Sequence, residues 1–174
     1  DADLRGRAGQ HGVAVGRRFH RRIGAHRTGS TGPVVDHHLL SEALAQTLLH
    51  FHADSGTIHL LEADGLLHLK AASAGIPEFV LQTVRTVPVG KGMAGLAVER
   101  AEPVTACNIQ TDDSGDVRPG AKLTGLEGAI VVPMLHNGKA IGAYGIANRA
   151  ERTFTQEETD LLLAIAAHLA ANHG

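Results

Sequence analysis

Asn137-Gly138 separates two runs, AIVVPML and AIGAYGIAN, each apolar on both alternating faces, and this pairing narrows the choice of fold more than any other feature of the chain. A two-residue turn of type I′ needs positive φ at both central positions, and Asn-Gly is a preferred dipeptide for it. The turn sets a register in which Met134, Val132 and Ile130 face Ile141, Ala143 and Gly145. Leu135, Pro133 and Val131 then face Ala140, Gly142 and Tyr144 on the other side. A ribbon that is apolar on both faces must be covered on both, which predicts the centre of an antiparallel sheet.

The flanking segments supply the cover. Leu40, Leu44, Thr47, Leu48 and Phe51 fall on one helical face behind a candidate N-cap, Asp36. TIHLLEADGLLHLKAA reads as a first hairpin turning on Asp64-Gly65, with Ile58 opposite Ala71, Leu60 opposite Leu69 and His59 opposite Lys70. Pro77 opens a helix to about Thr86, with Phe79, Val80 and Val84 as its apolar positions. A Gly90-Lys91-Gly92 turn leads to a short helix over 93–99, and Val104 to Ala106 is a candidate edge strand. The stretch 108–125, rich in Asp, Gly, Thr and Pro, is a long connection of the kind that is functional or disordered. Thr155-x-x-Glu158 is a capping box before a last helix with Leu161, Leu162, Ile165 and Leu169 on its stripe. These elements make an α+β layered domain.

Size and composition restrict the function classes. A chain of 174 residues holds one good core. With 43% apolar but only 3% aromatic residues, surfaces for stacking bases are not expected, and nucleic acid is disfavoured as a partner. Residues 1–35 carry seven Arg against two Asp and are peppered with Gly, so they read as a basic leader, disordered or an artefact of expression, ahead of a domain over 36–174. One cysteine, Cys107, permits no internal disulfide and fits a reducing cytoplasm. The longest nearly apolar run, Leu161 to Ala171, is about half the ~20 residues of a membrane span. The chain opens on Asp1, which suggests a piece of a longer protein.

Several of these residues, taken in order, resemble the GAF domain family: Asp54 before the first strand, Gly75 after the second, the VGKGMAG turn at 89–95, Val132-Pro133, Ile141-Gly142, and Phe154 to Leu162. The resemblance covers about Leu39 to Ala171. It implies a PAS-like or profilin-like antiparallel sheet of five to six strands. The first and last helices would lie on one face, with a ligand pocket under loops and short helices on the other.

Other constellations give weaker signals. Gly90-x-Gly92-x-x-Gly95 matches the dinucleotide fingerprint, but that motif works in a parallel βαβ unit with an acid at the next strand end, and the strand that follows here is a three-residue edge. The glycines read instead as a tight turn and close helix packing. Free methionine sulfoxide reductases share the fold and use a cysteine in the turn held here by Gly92-Met93-Ala94-Gly95. Cys107 lies elsewhere, has no second thiol to resolve an oxidised intermediate, and reads as a small buried hydrophobe. The cyclic-nucleotide branch of the family carries Asn-Lys…Phe-x-x-x-Asp-Glu. Asn148-Arg149…Phe154-x-x-x-Glu158-Thr159 matches it partially, and an Arg149–Glu158 brace explains those residues without a nucleotide. Twelve His residues, among them His37, His38, His50 and His52 on the first helix and His59 and His68 on one hairpin face, show no complete ligand spacing for a metal.

The pocket expected from this reading takes Asn108, Asp112, Arg118 and Lys122 from the long loop, beside Met93, Ala97 and Tyr144. Neither a poised carboxylate pair nor a Ser-His-Asp set is evident, so no catalytic residue and no cofactor are assigned. The expectation is a cytoplasmic sensory domain that binds an unidentified small molecule without covalent chemistry. A cyclic nucleotide is possible but not favoured. The domain would act as a homodimer through its terminal helices on an output domain absent from this chain. The alternatives are a ligand-free dimerisation module and, more weakly, a thiol redox enzyme using Cys107.

Overall fold

A computed structural model describes residues 36–172 of the chain; the basic leader of residues 1–35 lies outside the described residues. The element order is α1 (His37–Phe51), β1 (Ser55–Leu61), β2 (Leu66–Ala72), α2 (Glu78–Thr83), β3 (Thr86–Pro88), α3 (Gly92–Arg100), β4 (Val104–Ala106), a 3-10 helix (Pro119–Thr124), β5 (Gly128–His136), β6 (Lys139–Asn148) and α4 (Gln156–Ala171). The six strands form one sheet in the order β3-β2-β1-β6-β5-β4, every neighbouring pair antiparallel. The β5–β6 ribbon is interior, flanked by β1 and β4, though the middle pair of the sheet is β1–β6 and β5 lies next to the edge strand β4.

One face carries the main core. Leu40, Leu44 and Phe51 from α1 and Leu162, Ala166 and Leu169 from α4 pack on Ile58, Ile130, Val132, Met134, Tyr144 and Ile146 of the sheet. Each fully buried Leu or Ile in that layer contributes roughly 1.5–3 kcal/mol. Asp36 caps α1, accepting from the amides of His38 and Leu39 at 3.1 Å each. The Thr155–Glu158 capping box starts α4. On α4 the buried stripe is Leu162, Ala166, Leu169 and Ala170, so Leu161, expected inside, is 41% exposed.

Three local expectations change. The first hairpin turns through three residues, because Glu62 and Leu66 close the loop and Gly65 alone takes positive φ, at +79°. Asp64 keeps a negative φ, and its carboxylate accepts from the Leu66 amide at 3.0 Å, an Asx-type bond that competes with the type I′ geometry. His59 therefore pairs with Leu69 and His68 with Leu60, on opposite faces, until Lys70 bulges out and Ile58 meets Ala71 as expected.

The second hairpin turns on Asn137 and Gly138 at positive φ, as its dipeptide dictates, with His136 paired to Lys139. Ile141 then bulges from β6, and Met134 pairs with Gly142 rather than Ile141. Beyond the bulge every β6 residue has changed face relative to the turn-derived register.

The helix after Pro77 ends at Thr83, and Thr86–Pro88 pairs with Leu66–His68 as β3. Val87 precedes Pro88, and proline disfavours the helical region for the residue before it. Phe79, expected among the apolar contacts of this helix, is 57% exposed.

Candidate functional site

Opposite α1 and α4, the sheet is roofed by α2, the start of α3 and the loop containing the 3-10 helix, and a cavity of about 260 Å³ lies beneath that roof. Its floor includes Thr57 and His59 of β1, Ala129 and Val131 of β5, and Gly145 and Ala147 of β6. Ala129, Gly145 and Ala147 are small, and their smallness leaves room for the hollow. Val80, Thr83 and Val84 form a wall, Lys91 to Ala94 another, and the lining is predominantly apolar.

Polar groups enter at a few places. His59 is only 3% exposed, and its Nε2 donates to the Val84 carbonyl at 2.7 Å, which ties β1 to the end of α2. A carbonyl only accepts, so Nε2 carries the hydrogen and Nδ1 is left as an acceptor, without a partner among the described residues. Burial depresses the pKa of His59 below 6.5; the Val84 bond opposes that shift and the nearby His68 adds to it. Asp54 accepts from the Arg149 amide at 2.8 Å, closing the join between β1 and the end of β6. Lys91, Arg118 and Arg149 line the cavity, and none has a carboxylate within salt-bridge reach among the described residues.

The Gly90–Gly95 segment builds the wall at α3. Gly90 and Gly92 take φ of +87° and +63°, and a Cβ at Gly95 would stand 2.3 Å from the Pro88 carbonyl oxygen. The glycines thus serve a tight turn and close packing. With all strand pairs antiparallel, the βαβ unit of the dinucleotide fingerprint is not formed among the described residues. A Cβ at Gly92 would stand 2.7 Å from Cγ and Cδ of Arg118, so the aliphatic stem of that arginine lies across the start of α3.

Of the seven residues expected at the pocket, the structure brings Met93 and Arg118 to the cavity. Ala97 is fully buried in α3 and does not line the cavity. Asn108 is tied to Glu151 at 2.6 Å, Asp112 to Ser114, and Lys122 to the Asp112 carbonyl at 3.1 Å, so these three brace the loop away from the cavity. Tyr144 sits on the opposite face under α1, because the Ile141 bulge pairs it with Val132. Residues not expected there are His59, Lys91, Arg149 and the α2 wall. His59 carried a readable signal, a lone polar residue between Ile58 and Leu60 in an apolar strand.

Two further expectations are corrected. Cys107 is exposed rather than buried, with its sulfur accepting from Thr153 at 3.6 Å, and it does not line the cavity. Glu158 pairs with Arg152, not Arg149. Arg152 also donates to the Phe51 carbonyl at 2.6 Å and to Asn148 Oδ1 at 2.8 Å, and its guanidinium stacks 4.4 Å over Phe154. No group of three or more metal-ligating side chains occurs among the described residues, and no helix among them is long and apolar enough to cross a membrane.

A six-stranded antiparallel sheet with its terminal helices on one face and a roofed cavity on the other is the architecture of a GAF-like α+β module. The family model described as GAF domain matches residues 36–172, and the chain belongs to the GAF domain family, whose members occur in sensor and signalling proteins. No curated protein matches it. Among solved structures it is similar to the GAF domain of an Acinetobacter phosphoenolpyruvate-protein phosphotransferase, at 21% identity and TM-score 0.66 over 79% of this chain and 81% of that one. A type II free methionine-R-sulfoxide reductase from Thermoplasma acidophilum is similar at 21% identity and TM-score 0.66, over 79% and 91%. A domain assigned to a two-component sensor histidine kinase of Sinorhizobium meliloti 1021 is similar at 18% and 0.64, over 79% and 90%. At such identities the likeness establishes the fold.

Proposed function

We propose that this domain is a sensory module that recognises a small molecule non-covalently in the cavity between the sheet and its roof. The observation that carries the reading is the cavity itself, about 260 Å³, largely apolar, with a few polar groups at its edges. The reading is non-enzymatic, since the chain's one thiol lies away from the cavity. Binding would order the roof and shift the states that α1 and α4 present to a partner. Leu49 on α1 and Leu161 on α4, 72% and 41% exposed, support a homodimer or an output domain docking on those helices.

Native mass spectrometry of freshly purified protein, joined to a thermal-shift panel of amino acids, organic acids, cyclic nucleotides and aromatic compounds, tests this. A ligand well above its Kd raises stability by RT ln(1+[L]/Kd). An unchanged melting temperature across the panel, with no co-purified mass, overturns it.

A further inference from the structure

The geometry points to an aliphatic organic acid as the ligand of the cavity, its carboxylate held by Arg118 and the start of α3, its hydrocarbon body lying on the sheet floor. This inference rests on the reading of the cavity as a small-molecule site and adds the chemical class.

Three observations converge. First, α3 opens without a side-chain cap, and the amides of Gly92, Met93 and Ala94 have no hydrogen-bond partner among the described residues. The positive end of a nine-residue helix thus borders the cavity. Secondly, the stem of Arg118 crosses that helix start at Gly92, and Lys91 lies beside it. Counting Arg149, three cations line the cavity against one carboxylate, Asp54, and an anion would balance them. Thirdly, Ala129, Val131 and Ala147 make the floor apolar away from those cations, a surface that a hydrocarbon body would cover.

The lining disfavours other anions. No Phe, Tyr or Trp ring lines the cavity, so a purine would lack a stacking partner. A bare phosphate would leave the floor of Ala129, Val131 and Ala147 uncovered.

Isothermal titration of the full chain with hexanoate, its neutral isostere hexanamide, and inorganic phosphate tests the assignment. Hexanoate should bind at least about tenfold more tightly than hexanamide, as loss of a charge-assisted bond implies. Arg118→Gln should reduce hexanoate to the level of hexanamide. Lys122→Gln, a cation that braces the loop outside the cavity, should change neither. Ala147→Leu, which fills the floor, should weaken both organic probes. Equal binding of acid and amide, both lost in Ala147→Leu, overturns the acid while the small-molecule site stands. Phosphate binding as tightly as hexanoate overturns it in favour of a bare anion site. Binding of none of the three overturns it too, and the mass-spectrometric test then decides whether any small molecule is bound.

Discussion

The hydroxyls of Thr47 on α1 and Tyr144 on β6 meet at 2.7 Å in the buried layer between helix and sheet. Thr47 Oγ1 also lies 2.8 Å from the Ala43 carbonyl, which can only accept, so the threonine gives its hydrogen there and Tyr144 donates to Thr47. The bond docks the first helix on the central strand. Tyr144→Phe is expected to lower stability by about 1–2 kcal/mol in urea unfolding, because Thr47 loses its donor without a cavity forming.

Tyr144 is the chain's one tyrosine, and there is no tryptophan, so the near-ultraviolet rise on phenolate formation reports this side chain alone. Burial pushes its pKa up from 10.0 to about 12, with the Thr47 bond acting weakly the other way. The unfolded chain gives up this proton first, so stability is complete below pH 10 and falls as pH rises from 10 towards 12. Ionisation of the native protein near pH 10 would show that the side chain is not buried.

On the acid side two steps are expected. His59 has a depressed folded pKa, so the unfolded state binds its proton first, and stability present above pH 6.5 declines as pH falls through the folded value. Glu158 is held below 4.5 by the Thr155 amide first and then by Arg152, and its contribution is lost at lower pH still. Urea midpoints measured against pH should lose the upper step in His59→Gln and the lower one in Glu158→Gln.

Arg152 joins the end of α1, the end of β6 and the start of α4 through Phe51, Asn148 and Glu158. Arg152→Ala is expected to cost about 2–4 kcal/mol, since it strands several partly buried acceptors. Arg152→Lys should recover little of it, because an ammonium lacks the planar fork and the stacking on Phe154. Full rescue by lysine in thermal unfolding would show that charge alone matters.

At Gly95 two effects oppose each other. Alanine is favoured over glycine inside a helix by about 1 kcal/mol. Its Cβ, however, would meet the Pro88 carbonyl oxygen at 2.3 Å and the Gly90 nitrogen at 3.1 Å, both backbone atoms. Overpacking of that kind costs about 1–3 kcal/mol, so the clash should win and Gly95→Ala should melt lower than the parent. A higher melting temperature would mean that β3 and α3 pack less closely than described.

The amino-acid sequence by itself determined the first and last helices, the two hairpins and the two covered faces of the β5–β6 ribbon, but neither β3 nor the 3-10 helix. Asn137-Gly138, Asp36, Thr155 with Glu158 and the stripe of α1 act through neighbours a few residues away, so their consequences are local. Only the tertiary structure decided which side chains face the cavity. One bulged residue, Ile141, moves Tyr144 from the expected pocket into the helix-covered core, and the three-residue turn at Asp64 separates His59 from His68. A strand's side chains alternate with a period of two, so a shift of one residue exchanges the faces of all that follow. Where such a shift occurs depends on contacts across the sheet, such as Gly142 fitting against the His59 carbonyl, and no local sequence pattern encodes them.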